Sequence, residues 1–297
     1  MRFGQQAAME YLMTYGWAIL IVAIVIVALF QLGMFNNSNL TPHATPGACQ
    51  VVHSAAGSSL AGQCNNEIPQ FVAQFNGQGG DIEITPFTWS YSSTISMWVD
   101  IASTSGQSAN QVLVYTYGLS GFGGCIKDLG IYTGNIFGYY YQTNPMSTQF
   151  SINNWHLITV EDNSAANTQY FYVDGMLAGS SSGSVAFPSG GSGGYGSLYR
   201  LYLGFPTGPN SCDPYSTYWA PLDGYVSNLQ IYNTSLSSGE ISALYQEGIG
   251  GVPVDPTHIA GWWPLNGNAQ DYSGNSHNGQ LTGISWNGTW TSGYTAP

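Results

Sequence analysis

Four acids and one histidine stand where chemistry could be done. Asp100, Glu161, Asp162 and Asp223 lie beside aromatic residues, and His156 falls within NWHLITV. Glycoside hydrolysis needs two carboxylates held a fixed distance apart. No E-x-D-x-x-E-like spacing brings two of these acids together, and Glu161-Asp162 follows a strand at the mouth of a hairpin loop, where acids are ordinarily solvated. A satisfied or exposed His156 is the plainer reading than a general base. These residues point away from an enzyme. The four cysteines, Cys49, Cys64, Cys125 and Cys212, contain no C-x-x-C pair and have no His at ligand spacing, so a zinc site is not expected. In an exported chain an even number reads as two disulfides. Three pairings exist; Cys49–Cys64 would close a short loop, and Cys125–Cys212 would tie the Gly-rich loops GFGGCIKD and GPNSCDPY.

Composition narrows the class further. Against 15 acidic residues the chain has only three basic ones, Arg2, Lys127 and Arg200, for a net charge of -12 over 297 residues. Such a chain has almost no basic surface with which to hold a phosphate backbone, so nucleic acid is excluded as a partner. Gly, Ser, Thr, Asn and Tyr abound. A surface of hydroxyls and amides with little Lys suits the outside of a cell, or an acidic medium in which a Lys-rich surface would repel itself.

The N-terminus decides how the chain is held there. From Tyr11 to Phe35 no residue is charged, a run long enough to cross a bilayer as a helix. It is too long for a secretory signal core, and QLGMFNNSN after it offers no small-residue cleavage site. Glu10 stands at its mouth, a costly place for an acid without a role. The string GQQAAMEYLMTYGWAIL resembles the class III signal peptide of archaeal type IV pilin-like proteins, in which a prepilin peptidase cuts just before Q-x-x-x-E-Y. Gln6, Glu10 and Tyr11 match that pattern. Cutting at Gly4–Gln5 keeps the family's Gly before the bond; cutting at Gln5–Gln6 keeps the Gln-to-Glu spacing. The resemblance implies a leader over residues 1–5 and a helix over 6–35 that first anchors in the membrane and then packs with copies of itself in a filament core. Its all-round apolar character suits a buried helix, and Gly16, Ala18, Ala23 and Ala28 allow close approach. It also implies that Glu10 meets the new amino terminus of a neighbouring subunit. Residues 36–48 read as a polar, Pro-containing connector. Asn-x-Ser/Thr sequons at Asn36, Asn39, Asn233 and Asn287 are glycosylation candidates in an exported chain.

Residues 49–297 read as an all-β ectodomain. Short runs with the two-residue period of strands alternate with Gly, Asn and Ser clusters. PQFVAQFNGQGGDIEI alternates around a turn, and TISMWVDI places Ile95, Met97 and Val99 on one face. In QYFYVDGMLAG, Asp174-Gly175 has the composition of a type I′ hairpin turn. One short helix is expected, capped by Ser237, boxed by Glu240 and stopped by Gly248.

In order along the chain, FVAQFNGQGGDIEI, TISMWVDI, NWHLITVED, QYFYVDGMLAG and LDGYVSNLQIYNTSLSSGEISALYQEG resemble the laminin-G-like, concanavalin A-like jelly roll over about residues 70–250. In that family a strand like WWPLNG…DYSGN comes first; here the only copy is at 261–279. The resemblance therefore implies an antiparallel sandwich whose first strand is supplied from the C-terminus. Completion of a neighbour's sandwich and a truncated second domain, whose edge would stand uncovered, are the alternatives. Trp262, Pro264 and Leu265 are expected to pack against strands from the middle of the chain. The same family suggests calcium near a loop acid, with Asp271 and Asp81 placed to hold it, although Asp271 also suits a turn that bonds its own backbone. Related jelly rolls include glycosidases, which does not alter the reading of the acids. Exposed-looking tyrosines (Tyr139-Tyr140-Tyr141, Tyr195, Tyr215, Tyr218) suit sugar contacts or subunit packing.

The expected protein is a structural subunit of an archaeal type IV pilus-like filament on the cell surface. It would polymerise through its N-terminal helix with identical subunits and display a lectin-like sandwich for adhesion to a glycan or cell-surface ligand. The alternatives are a membrane-anchored adhesin that never polymerises and an archaellin-like motility subunit.

Overall fold

The computed structural model describes residues 19–25, 68–88, 90, 92–102, 110–118, 125–132, 135–139, 148–149, 151–182, 199–205 and 219–297. Residues 19–25, α1, are helical with exposed side chains and belong to a unit separate from the rest. The remainder of the expected 6–35 helix, the 1–5 leader, the 36–48 connector and the processing residues Gly4, Gln5, Gln6, Glu10 and Tyr11 lie outside the described residues. No helix among the described residues is long and apolar enough to cross a membrane.

Among the described residues the second unit is an antiparallel sandwich of two eight-stranded sheets. The first runs in the order β10 (Met176–Ser182), β9 (Thr168–Val173), β8 (Trp155–Asn163), β3 (Ser93–Ile101), β13 (Asp223–Tyr232), β1 (Val72–Asn76) and β16 (Ser285–Asn287), and β14 (Ile259–Trp263) also pairs with β13. The second runs β15 (Gly279–Thr282), β2 (Gly80–Phe87), β11 (Tyr199–Phe205), β4 (Asn110–Gly118), β5 (Cys125–Tyr132), β6 (Asn135–Tyr139) and β7 (Thr148–Gln149), with β12 (Trp219–Ala220) joined to β4 in parallel. The turn after β1 carries the chain from one sheet to the other, so the two halves of PQFVAQFNGQGGDIEI lie in different sheets and do not pair.

Alternation along the strands builds two apolar layers. Ile95, Met97, Val99 and Ile101 of β3 face inward, with Ile82 and Ile84 of β2 and Leu201 and Leu203 of β11 in the same inter-sheet core. Trp98 of β3 and Trp155 and Leu157 of β8 face the other way into a second cluster with Ile241, Leu244, Trp262 and Trp290. With apolar layers on both faces, all nine residues of β3 are buried. The second cluster includes residues of α2 (Ser238–Gln246). The Ser237 hydroxyl accepts the Glu240 backbone N–H while the Glu240 carboxylate accepts that of Ser237, and Gly248 follows the last turn at φ +78°. The expected hairpin turn is also present: Asp174 and Gly175 take φ +52° and +74°, both positive as a type I′ turn demands.

The C-terminal segment closes its own sandwich. One side of β13 is covered in its first half by β1, through Ala73 opposite Val226, and in its second half by β14, through Trp263 opposite Leu229. β15 and β16 then pair with β2 and β1. Trp263 and Leu265 enter the inter-sheet core and Trp262 the outer cluster, while the Pro264 carbonyl accepts the Asn228 backbone N–H at 3.1 Å. Burying two Trp side chains in one strand contributes more than the short strand's hydrogen bonds alone would.

Candidate functional site

An α-helix and the C-terminal residues overlie the outer face of the first sheet; on the second sheet the described outward side chains of β2 and β11 are polar. Asp81 and Glu83 alternate with inward-facing Ile82 and Ile84 on β2. Pairing runs one rung across six strands: Gln280 on β15, Glu83 on β2, Tyr202 on β11, Tyr115 on β4, Asp128 on β5 and Tyr139 on β6. Arg200, two residues before Tyr202, places Nη1 3.3 Å from Glu83 Oε1. Asp81 and Tyr202 form a buried floor, while Glu83 and Arg200 are partly exposed. Burial, and then the charge of Glu83, push the Asp81 carboxyl up to about 6. Burial likewise raises the Tyr202 phenol. Among the described side chains, Gln280, Glu83 and Arg200 present an amide, a carboxylate and a guanidinium beside the buried Tyr202 phenol, groups of the kind that polyhydroxylated ligands hydrogen-bond.

A second constellation lies where β8 begins and β9 ends. His156 Nδ1 is 2.8 Å from Asp174 Oδ2, and its Nε2 is 2.9 Å from the Ser151 hydroxyl. Asp174 Oδ1 accepts the Leu157 backbone N–H at 3.0 Å, and the Asp174 N–H donates to the Leu157 carbonyl at 2.9 Å. The connectivity is that of a nucleophilic relay, yet both oxygens of the Asp174 carboxylate are committed and the group fastens the β9–β10 turn to β8. Asp100 lies nearby with a buried Oδ1 that has no partner among the described residues. Burial pushes its carboxyl up to about 6, against the opposing influence of His156.

Several acids stand differently from their expected setting. Glu161 and Asp162 do not open a solvated loop; they lie within β8 and are buried. The strand runs on past them because cross-strand partners satisfy both: Tyr172 Oη donates to Glu161 at 3.0 Å, and Gln169 Nε2 to Asp162 at 2.7 Å. Burial raises the Glu161 carboxyl above its ordinary range, although those bonds hold it down in part.

The two calcium candidates stand in different settings. The Asp271 carboxylate already accepts three backbone N–H groups, from Trp262, Ser273 and His277, at 3.0, 2.9 and 2.9 Å. That is the turn-organising role, and it pins β14 to the following loop. Asp81 shares its face with Glu83, whose carboxylate has the Arg200 guanidinium beside it. Among the described residues no three His, Cys, Asp or Glu side chains converge as metal ligands would.

Of the sequons, Asn233 is exposed just after β13, and Asn287, half-buried on β16, accepts both the backbone N–H and the hydroxyl of Thr289 at 2.7 and 3.0 Å. Asn36, Asn39, Cys49, Cys64 and Cys212 lie outside the described residues, and Cys125 is placed only as the first residue of β5. Tyr140, Tyr141, Tyr195, Tyr215 and Tyr218 are likewise outside.

Glu83, Arg200, Tyr202, Ser151 and Asp174 were not singled out as site residues from the sequence. The D-I-E-I and R-L-Y alternations show which side chains face outward. That β11 lies between β2 and β4, which brings these faces together, leaves no local signal.

Comparison with known proteins accords with this architecture. A candidate carbohydrate-binding protein from Bacteroides ovatus superposes with a TM-score of 0.53 at 16% identity, over 73% of this chain and 59% of that one. A heptameric SAP-like pentraxin from Limulus polyphemus gives 0.52 at 8% identity, over 73% and 94%. At these identities the likeness is one of fold, and the chain spans only 59% of the first structure's length. No curated protein matches the chain in sequence. The profile of the concanavalin A-like lectin/glucanases superfamily matches residues 76–242, more than half the chain, and stops short of β14 to β16. By that match, and by the lectin-like sandwich built above, the chain belongs to the concanavalin A-like lectin/glucanase superfamily.

Proposed function

We propose that this chain is the structural subunit of an archaeal type IV pilus-like surface filament, polymerising through its N-terminal helix and displaying the lectin-like sandwich for adhesion to glycans. The observation that carries the reading is α1. Ile19, Leu20, Ile21, Val22, Ile24 and Val25 are 49–68% exposed, within a run that holds no charge from Tyr11 to Phe35. Apolar helix of this kind must be covered. Lipid covers it before assembly, and copies of the same helix cover it afterwards. The match of Gln6, Glu10 and Tyr11 to the prepilin pattern supports the second step, with prepilin peptidase as the processing partner. Glycan binding is supported by the polar rung on the second sheet and by the description of the Bacteroides ovatus protein as carbohydrate binding. The proposal assigns no catalytic role to the buried acids.

Mass spectrometry of the mature chain tests the reading. A chain beginning at Gln5 or Gln6 that sediments as fibres is the expected result. An intact Met1 in a chain that stays dispersed in detergent micelles would sink it in favour of the permanently anchored adhesin. Loss of swimming on deletion, with adhesion intact, would point instead to a motility subunit.

A further inference from the structure

Ser151, His156 and Asp174 form one hydrogen-bonded line, with Ser151 Oγ 2.9 Å from His156 Nε2 and His156 Nδ1 2.8 Å from Asp174 Oδ2. A carboxylate only accepts, so in the neutral ring the proton stands on Nδ1 and Nε2 is the acceptor. The Ser151 hydroxyl therefore donates into the imidazole. Local structure holds both ends of the line. Ser151 lies in the loop before β8, where Asn153 takes φ +57° and donates its N–H to the Ile101 carbonyl at 2.9 Å. Asn154 Nδ2 donates to the Ile152 carbonyl at 3.0 Å. This fold-back returns Ser151 to a histidine five positions further on. At the other end, the Leu157 N–H holds Asp174 Oδ1 at 3.0 Å and leaves Oδ2 to orient the ring. Fastening the β9–β10 turn needs only Asp174 and the Leu157 backbone. It needs neither the imidazole nor the hydroxyl, and a carboxylate held by backbone donors is what a relay requires. Ser151 is exposed, while the His156 and Asp174 side chains keep only 15% and 24% exposure.

We propose that Ser151 is a nucleophile toward carboxylic esters, with His156 as its general base and Asp174 as a positioning residue. Ser151 Oγ bonds to the acyl carbon while its proton passes to His156 Nε2. The bond from the acyl carbon to the leaving oxygen breaks, and the alcohol departs with that proton. Water then repeats the sequence on the acyl-serine, which releases the carboxylic acid and restores the hydroxyl. Ester and water are the only reactants. Asp174 contributes by keeping the proton on Nδ1 and by stabilising the imidazolium that forms in each half of the cycle. The activity goes beyond assembly and adhesion and depends on neither.

The test uses the full chain in detergent micelles with two probes, p-nitrophenyl acetate for turnover and an alkyl fluorophosphonate for permanent labelling. The wild type releases p-nitrophenolate above the buffer rate, and peptide mass spectrometry finds the phosphonyl group on Ser151. Ser151→Ala loses both. Because Ser151 is exposed, that variant keeps the wild-type melting temperature, so its result does not turn on folding. His156→Gln lowers the release rate about a hundredfold, and Asp174→Asn lowers it about tenfold by setting the wrong tautomer. Nitrogen-15 NMR of histidine-labelled chain separates positioning from a structural role. In the wild type Nδ1 of His156 carries the proton and Nε2 is bare, and in Asp174→Asn the proton moves to Nε2. Release at an unchanged rate in Ser151→Ala, labelling confined to other side chains, or no release above the buffer rate would each overturn the proposal. So would a wild-type ring protonated on Nε2. None of these outcomes bears on filament assembly or glycan binding, so the ester chemistry and the pilus reading fail separately.

Discussion

Asp271 shows how one side chain can hold a strand in place. Its two oxygens take the backbone N–H groups of Trp262, Ser273 and His277, and its own N–H donates to Asn278 Oδ1 at 2.9 Å. A backbone donor left unpaired in a buried turn costs about 1–3 kcal/mol. Asp271→Ala strands three at once, although water reaches part of the loop after truncation. The expected loss is about 3 kcal/mol, read as a lower urea midpoint at unchanged slope. The same residue separates the turn role from the cation role. Added calcium leaves the melting temperature of the wild type unchanged if the carboxylate is already committed, and a rise that Asp271→Ala abolishes would restore Asp271 as a ligand. His156 and Asp174 form a comparable clamp at the start of β8. There the prediction is that Asp174→Asn, which keeps the size of the side chain, weakens the anchoring of the β9–β10 turn by about 1 kcal/mol, measured by hydrogen exchange at Leu157.

Among the elements, β14 decides whether the sandwich is complete. It fills the half of β13 that β1 leaves uncovered, and it delivers Trp262 and Trp263 to opposite apolar layers. Trp263→Ala is expected to cost about 3–5 kcal/mol, seen in the denaturant midpoint of the full chain. Deleting residues 256–297 should abolish cooperative unfolding, since β15 and β16 leave with it; a truncated chain of unchanged stability would show that the segment is dispensable. Much of this architecture was legible beforehand. The two-residue period in TISMWVDI identified the inward face of β3, Asp174-Gly175 marked the β9–β10 turn, and Ser237 with Glu240 marked the helix start, because each is set by local backbone chemistry. The WWPLNG segment was placed by its likeness to a first strand. What resisted reading was long-range. Glu161 and Asp162 look solvated until Tyr172 and Gln169 are brought opposite them across the β8–β9 pair. The polar rung needs β2, β11 and β4 to be neighbours. β5 to β7 arise from a Gly- and Tyr-rich stretch whose alternation is too weak to mark strands.

For the whole molecule, the dominant electrostatic fact is many acids, several of them buried, with almost no bases to pair them. Asp81 and Asp100 are both raised from 3.8 to about 6 by burial, and burial also raises Asp223 and Glu247. In the unfolded chain these carboxyls titrate near their ordinary values, so between about pH 4 and 6 the folded protein binds more protons than the unfolded one. Stability must then fall as pH rises through that window, with the cost fully present above it. The net negative charge acts in the same direction, since protonation relieves the repulsion among acids. Asp255, held below its usual range by His258 despite partial burial, opposes the trend. Partial solvent access at Asp81 and Asp100 limits the combined gain to about 2 kcal/mol. For a domain of this size that corresponds to a melting temperature higher by about 4–8 °C at pH 4.5 than at pH 7.5. Replacing Asp81 and Asp100 together with Asn should flatten the profile by removing the groups that titrate, and a double variant that keeps the full slope would assign the effect to overall charge. With three Lys and Arg and five His, the chain carries only modest positive charge once its carboxylates are neutral. The fold is therefore expected to hold best in mildly acidic surroundings, as the scarcity of Lys and Arg foreshadows.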